Sequence, residues 1–300
     1  MELVVLRDKQ QFDEYYAGKC RKRLAFERSI AEENLGNDCW EMPGFCDVCG
    51  KATRFRMDWF NLYEHPVYGK TPCYRERMIC SICEMNNRLR FVASYLINLV
   101  NNSKDINDIY LYEQISPFFR HISNFLSNKN VFGSEYLGNN IKSGEIINGI
   151  RHEDALALSL ASNSIDVIVS NDVYEHVPDI ARTFSEASRV LRDNGRLILA
   201  IPFQTSEISS RKRAEADGEK INYLEPARYH GNPLSEQGAL VFYDFGWDII
   251  QLCKDAGFAE AYMLAYYSLL YGHIGGGVQY IFVAEKQGFS LIKKIRGIFR

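Results

Sequence analysis

The hydrophobic positions change their period partway along the chain, and the change divides it. Met85, Leu89, Val92, Leu96, Ile97 and Val100 recur at three- and four-residue steps, which predicts a helix with one apolar face and with Arg88 and Arg90 off that face. From about residue 106, short apolar runs alternate with helical ones. Residues 106–113 and 131–135 read as strands with a helix, 117–126, between them, and 147–154 reads as a weaker strand. The β-branched run 164–170 is what a buried parallel strand shows. The helix after it places Ile180, Phe184, Ala187 and Leu191 on one face. Asp193-Asn194-Gly195 then reverses the chain into a strand at 196–201. Residues 203–243 have mixed charge and little periodicity, after which 247–256 reads as a helix and 259–266 and 278–284 as strands. Such alternation predicts an α/β fold with a Rossmann-like, mostly parallel sheet and helices on both faces. Ligands of such sheets bind beyond the carboxyl ends of the strands.

Ahead of that pattern, residues 1–45 are charged and aromatic and predict a helical lead-in. Two tight cysteine pairs follow, Cys46-x2-Cys49 and Cys80-x2-Cys83. Each spacing lets two thiolates reach one ion from a single knuckle of backbone, and two knuckles supply the four sulfurs of a closed, structural zinc site. Gly50 stands where the first knuckle wants positive φ. A second knuckle that opens a helix resembles a treble-clef finger. The expected organisation is therefore a lead-in (1–45), a zinc module with its connecting helix (46–104), a main domain (105–286) with 203–243 inserted, and a tail (287–300).

Composition narrows the partners. Apolar residues make 46% and charged residues 24% of the chain, which is ordinary for a globular protein, and a net charge of −3 offers no global attraction to nucleic acid. Cys20, Cys39, Cys73 and Cys253 follow no pairing pattern, and neither a leader-like N-terminus nor a membrane-length apolar run occurs, so a reducing cytoplasm is expected. The tail sets Leu291, Ile292, Ile295, Ile298 and Phe299 among four basic residues, a pattern suited to peripheral contact with an anionic membrane. Gly275-Gly276-Gly277 lacks the context of a phosphate loop and reads as a tight connection between the last two strands.

Between Asp154 and Pro202 the chain carries Glu-Asp-Ala-Leu-Ala-Leu-Ser, Asn-Ser-Ile-Asp-Val-Ile-Val-Ser-Asn-Asp-Val-Tyr-Glu-His-Val-Pro-Asp and Arg-Val-Leu-Arg-Asp-Asn-Gly-Arg-Leu-Ile-Leu-Ala-Ile-Pro. Together these blocks resemble the class I S-adenosylmethionine-dependent methyltransferases of the type 11-like subgroup. The resemblance is firm over 130–202, extends loosely over 106–285 and leaves out the cysteine module. It implies that Glu113 meets the methionine amine, Glu135 the ribose hydroxyls, Asp154 and Ala155 the adenine, and Asn171 and Asp172 the methionine end. Ile115 and Pro117 occupy positions where the family has glycines, which implies a cradle reshaped around Gln114 and Ser116. His176 is the implied proton acceptor, with capping of the following helix as the plainer alternative. Tyr229, His230, Tyr243 and Asp244, in the insertion, are implied for acceptor binding or proton removal. The implied activity is methyl transfer to a small-molecule, sugar or lipid-linked (glycan-type) acceptor, with a cofactor-dead binding protein and a zinc-finger RNA methyltransferase as the other readings. Residues 46–95 hold eight Lys/Arg against five Asp/Glu, a thin footprint for RNA, so nucleic acid is not the expected partner.

Overall fold

A computed structural model describes residues 1–65, 69–218 and 220–286, so the tail at 287–300 and its expected membrane contact lie outside the described residues. The main elements are β1 (Glu2–Leu6), α1 (Lys9–Glu33), β2 (Cys39–Cys46), β3 (Lys51–Asp58), β4 (Ile79–Cys80), α2 (Asn87–Asn101), β5 (Asp108–Leu111) and α3 (Pro117–Phe125). They continue with β6 (Asn130–Gly133), β7 (Ile165–Asn171), α4 (Ile180–Val190), β8 (Leu191–Ala200), α5 (Ile249–Asp255), β9 (Glu260–Tyr267) and β10 (Gln279–Glu285). The described residues form two compact units, Met1–Asn102 with Met263–Ile281, and Ser103–Tyr262 with 282–286. Among the described residues no helix is long and apolar enough to cross a membrane.

In the first unit the lead-in is only partly helical. Its first apolar run is strand β1, which pairs antiparallel with β9 from Glu2↔Tyr267 to Leu6↔Met263. The expected boundary at residue 45 also disappears, because β2 pairs with β3 along its whole length and carries the chain from lead-in to first knuckle without a break. Helix α2 forms as its periodicity predicts, capped by the Asn86 side chain, which accepts from the Leu89 N–H at 2.9 Å. Arg88 and Arg90, however, are buried. Arg88 is held by Glu76 at 2.9 and 3.0 Å. Arg90 donates to the carbonyls of Tyr271 (2.6 Å), Met78 (3.2 Å) and Gly272 (3.2 Å), and its guanidinium lies 4.2 Å from the Phe55 ring centroid. A buried cation is tolerated when carbonyl oxygens and an aromatic face meet it in this way, with Arg90 Nε left without a hydrogen-bond partner among the described residues. The glycine run is the tight connection expected: Gly275, Gly276 and Gly277 all have positive φ, and the N–H groups of Gly275 and Gly277 donate to Glu27.

The second unit is built on a sheet in the order β10-β8-β7-β5-β6. The β8/β7, β7/β5 and β5/β6 pairs are parallel and β10 runs antiparallel to β8, so the sheet is mostly parallel as predicted. Its centre is fully apolar, with Ile109, Leu111, Val167, Ile168, Val169, Leu197, Ile198 and Leu199 all at 0% exposure, which is why these strands read as continuous hydrophobic runs. Two expectations change. The weak strand at 147–154 is a small hairpin, Ile146–Ile147 with Ile150–Arg151, turned by Asn148 and Gly149 at positive φ, plus one parallel bridge from Glu135 to His152. The reversal at 193–195 is an irregularity inside β8, where the register jumps from Ile165↔Leu191 to Val167↔Arg196. The insertion, without clear period in sequence, folds as three short strand pairs: Arg211–Lys212 with Tyr243–Asp244, Ala214–Asp217 with Lys220–Tyr223, and Tyr229–Asn232 with Ser235–Leu240.

Candidate functional site

Three groups of side chains carry chemistry, one in the first unit and two in the second. In the first unit the Sγ atoms of Cys46, Cys49, Cys80 and Cys83 all lie within 4.8 Å of one another, and this set could hold a metal ion. The two knuckles use the same turn. The Gly50 N–H donates to the Cys46 carbonyl and the Glu84 N–H to the Cys80 carbonyl, each at 2.9 Å, with φ of +63° at Gly50 and +58° at Glu84. Zinc–sulfur bonds near 2.3 Å at tetrahedral angles put sulfurs about 3.8 Å apart. The Cys46–Cys83 separation is 3.9 Å, so the donor set and spacing fit that ion. The hydrogen bonds among these thiols act in opposite directions, lowering Cys80 far below its ordinary value while raising Cys46 and Cys83.

The second group stands where β5, β6 and β7 end. Strand β5 runs out into Tyr112-Glu113, and the turn that follows is closed by Ser116, whose hydroxyl caps α3 by accepting from the Phe119 N–H at 3.0 Å. Pro117 opens that helix, where its missing N–H costs nothing. The Glu113 carboxylate accepts from Asn171 Nδ2 at 2.6 Å and from the Ser116 hydroxyl. Asn171 keeps Oδ1 buried with no hydrogen-bond partner among the described residues. An acceptor left over beside a carboxylate suits an ammonium group. Glu135 does something the sequence did not announce. Its Oε1 accepts from both the Gln114 N–H (2.7 Å) and the Ile115 N–H (3.0 Å), tying the turn that lacks glycines to the end of β6. The Gln114 side chain extends the tie by donating to the Gly149 carbonyl and accepting from the Arg151 N–H. Asp154 accepts from the Leu156 N–H at 2.8 Å, beside a buried Ala155. Asp172 holds a left-handed φ of 51°, with its N–H on the Ala200 carbonyl.

The third group joins the turn after β7 to the insertion. His176 is not the helix cap, because Asp179 takes that place by accepting from the Arg182 N–H. Instead His176 Nδ1 lies 2.8 Å from the Leu240 carbonyl, and its ring meets that of His230 edge-on at 5.0 Å. Glu175, fully buried, stands between the two imidazoles at 3.6 and 3.5 Å. The other insertion residues are dispersed. Tyr229 is exposed, with its hydroxyl 3.4 Å from that of Tyr223. Tyr243 donates to the Pro178 carbonyl at 3.1 Å, and burial pushes its hydroxyl up. Asp244 contacts Arg213 (2.9 Å), Arg211 (3.1 Å) and Arg228. Burial alone would raise the Asp244 carboxyl, but the hydrogen bonds from Arg228, Arg213 and Arg211 outweigh it and hold the group low. A carboxylate so occupied is a poor proton acceptor, and the role implied for Asp244 gives way to a structural one.

Residues 121–199 match the family model described as a methyltransferase domain. The matched stretch runs from α3 to β8, and Glu135, Asp154, Asn171 and His176 fall inside it. No curated protein matches the chain. Among solved structures it is similar to a chain of the Haloferax volcanii complex between the Trm112 methyltransferase activator and a methyltransferase (12% identity, 66% of this chain, 91% of that chain, TM-score 0.39). It is also similar to a SAM-dependent methyltransferase from Methanosarcina mazei (17%, 63%, 97%, TM-score 0.36) and to the 1,6-didemethyltoxoflavin-N1-methyltransferase of Burkholderia thailandensis (14%, 66%, 77%, TM-score 0.35). Two residues of the matched stretch escaped the sequence reading. A Cβ on Gly133 would stand 2.1 Å from the Glu113 carbonyl oxygen, so the glycine that this cradle requires sits on β6 and not in the turn. Glu175, next to His176 in the chain and given no role above, is the hub of the third group.

Proposed function

We propose that the domain transfers the methyl group of S-adenosylmethionine to oxygen on a small-molecule, sugar or lipid-linked acceptor, and that the four cysteines hold a structural zinc ion. The observation that carries the methyl-transfer reading is the set of acceptor atoms at the ends of β5, β6 and β7: Glu113, Asn171 Oδ1 and Glu135, in and beside the stretch that matches the methyltransferase domain. When bound, the cofactor supplies a methyl group already activated on a sulfonium, so the protein's part is alignment and proton removal. Glu113 and Asn171 Oδ1 would hold the methionine ammonium. The second oxygen of Glu135 would take a ribose hydroxyl while Oε1 stays on the turn, and Asp154 with the Ala155 backbone would border the adenine. Proton removal from the acceptor falls to the Glu175–His176–His230 group, and Tyr229 and Tyr243 lie on the insertion available to the acceptor.

Calorimetric titration with S-adenosylhomocysteine tests the cofactor reading. Saturable binding is expected for the natural chain, weakened about tenfold in Asn171→Ala, the loss of one charge-assisted hydrogen bond. No saturation at millimolar ligand would leave a binding protein without cofactor chemistry.

A further inference from the structure

We propose that Glu175, His176 and His230 form a site for a divalent transition-metal ion, with positions left open for an oxygen ligand. The argument begins with a carboxylate. The Glu175 side chain is 0% exposed, and among the described residues neither of its oxygens has a hydrogen-bond donor. A buried carboxylate in that condition is strongly disfavoured. Among the described residues its ion-pair partners are two imidazole nitrogens, His176 Nε2 at 3.6 Å and His230 Nδ1 at 3.5 Å, both beyond hydrogen-bond reach. The Leu240 carbonyl, 2.8 Å from His176 Nδ1, can only accept, so Nδ1 carries the proton. In the neutral form of the ring the bare lone pair of Nε2 points at a carboxylate. Two lone-pair atoms face each other with nothing positive between them.

A cation resolves this. Ligand atoms at about 2.0–2.2 Å from one ion stand about 3.0–3.5 Å apart. The two measured separations are close to that, and all three ligand atoms lie within 4.8 Å of one another. Two imidazoles and one carboxylate select Mn2+, Fe2+, Co2+ or Zn2+ over Ca2+ and Mg2+. The carbonyl on the far nitrogen of His176 is the outer contact that orients a ligating ring. Glu175 is pinned from the other side, where the Phe242 N–H donates to its carbonyl at 2.7 Å. His230 is about a third exposed, so one flank of the group is open.

The consequence for chemistry rests on the methyl-transfer reading. An ion here would bind an acceptor hydroxyl that has a second oxygen in chelating reach, as in a catechol or a vicinal diol. The group would then remove the acceptor proton through the ion, because a hydroxyl bound to it would release its proton to water more readily. The oxygen would form the bond to the methyl carbon as the carbon–sulfur bond breaks.

The test titrates full-length protein that holds a single equivalent of zinc, retained by the four cysteines, with Mn2+ and follows free Mn2+ by electron paramagnetic resonance. A thiolate site disfavours Mn2+, so the cysteine group does not interfere. One Mn2+ per chain is expected, with affinity lowered more than about tenfold in Glu175→Gln and in His230→Gln, near-ultraviolet dichroism being unchanged. His230→Gln keeps the test open if Glu175→Gln fails to fold. No Mn2+ binding by the natural chain, or His230→Gln binding Mn2+ as the natural chain does, would overturn the site. A failed Mn2+ titration beside a saturable S-adenosylhomocysteine titration removes the cation alone; the converse removes the acceptor chemistry and keeps the ion.

Discussion

Glu27, on α1, has a carboxyl that burial pushes up to about 7 although the N–H groups of Gly275 and Gly277 donate to it. Its folded value lies above the ordinary 4.5, so the folded chain holds this proton more tightly than the unfolded chain. The stabilisation is complete below pH 4.5 and is lost as pH rises through about 7. Melting curves between about pH 5 and 8 should show the natural chain losing stability relative to Glu27→Gln, by about 3 kcal/mol at most; parallel curves would count against the assignment. Gly133→Ala makes a second prediction at this scale. The new methyl meets backbone 2.1 Å away, so a loss of about 1–3 kcal/mol is expected, with weakened S-adenosylhomocysteine binding, by denaturant unfolding and calorimetry. Neither effect was legible in the chain. Glu27 and Gly275 are 248 positions apart, and Gly133 is one of 21 glycines until its neighbour is known.

At the scale of elements, the two knuckles were legible because C-x2-C is a local spacing whose geometry requires only a few residues of backbone. Cys80→Ser should release one equivalent of zinc and lower the melting temperature; full metal retention by elemental analysis would reject the ligand set. The apolar face of α2 was equally plain, but the fate of Arg88 and Arg90 was not. Their partners lie on Glu76 and at 271–272, outside any helical window. The insertion hid its strand pairs for a related reason. Its strands are two to six residues long, too short for a period, and polar chemistry holds part of it. Asp244→Ala should therefore leave the largely buried Arg213 with the Pro226 carbonyl as its acceptor and loosen the insertion, seen as faster proteolysis at 203–243.

At the scale of the whole molecule, ligand binding should report on the second unit. S-adenosylhomocysteine at a hundredfold excess over its Kd raises unfolding free energy by about 2.7 kcal/mol if it binds only the folded chain. A melting temperature that does not move at any concentration would count against a formed cofactor site. The sequence by itself determined the α/β alternation, the mostly parallel sheet and the grouping of four thiols, because hydrophobic period and cysteine spacing are set within a dozen residues or one knuckle. Tertiary structure alone decided that Glu135 spends an oxygen on the turn at 114–115, that Asp244 is neutralised by arginines, and that Glu175 is enclosed between two imidazoles. Each of those outcomes depends on which donors arrive from distant segments, and a buried carboxylate takes its role from the charges that reach it and not from its place in the chain.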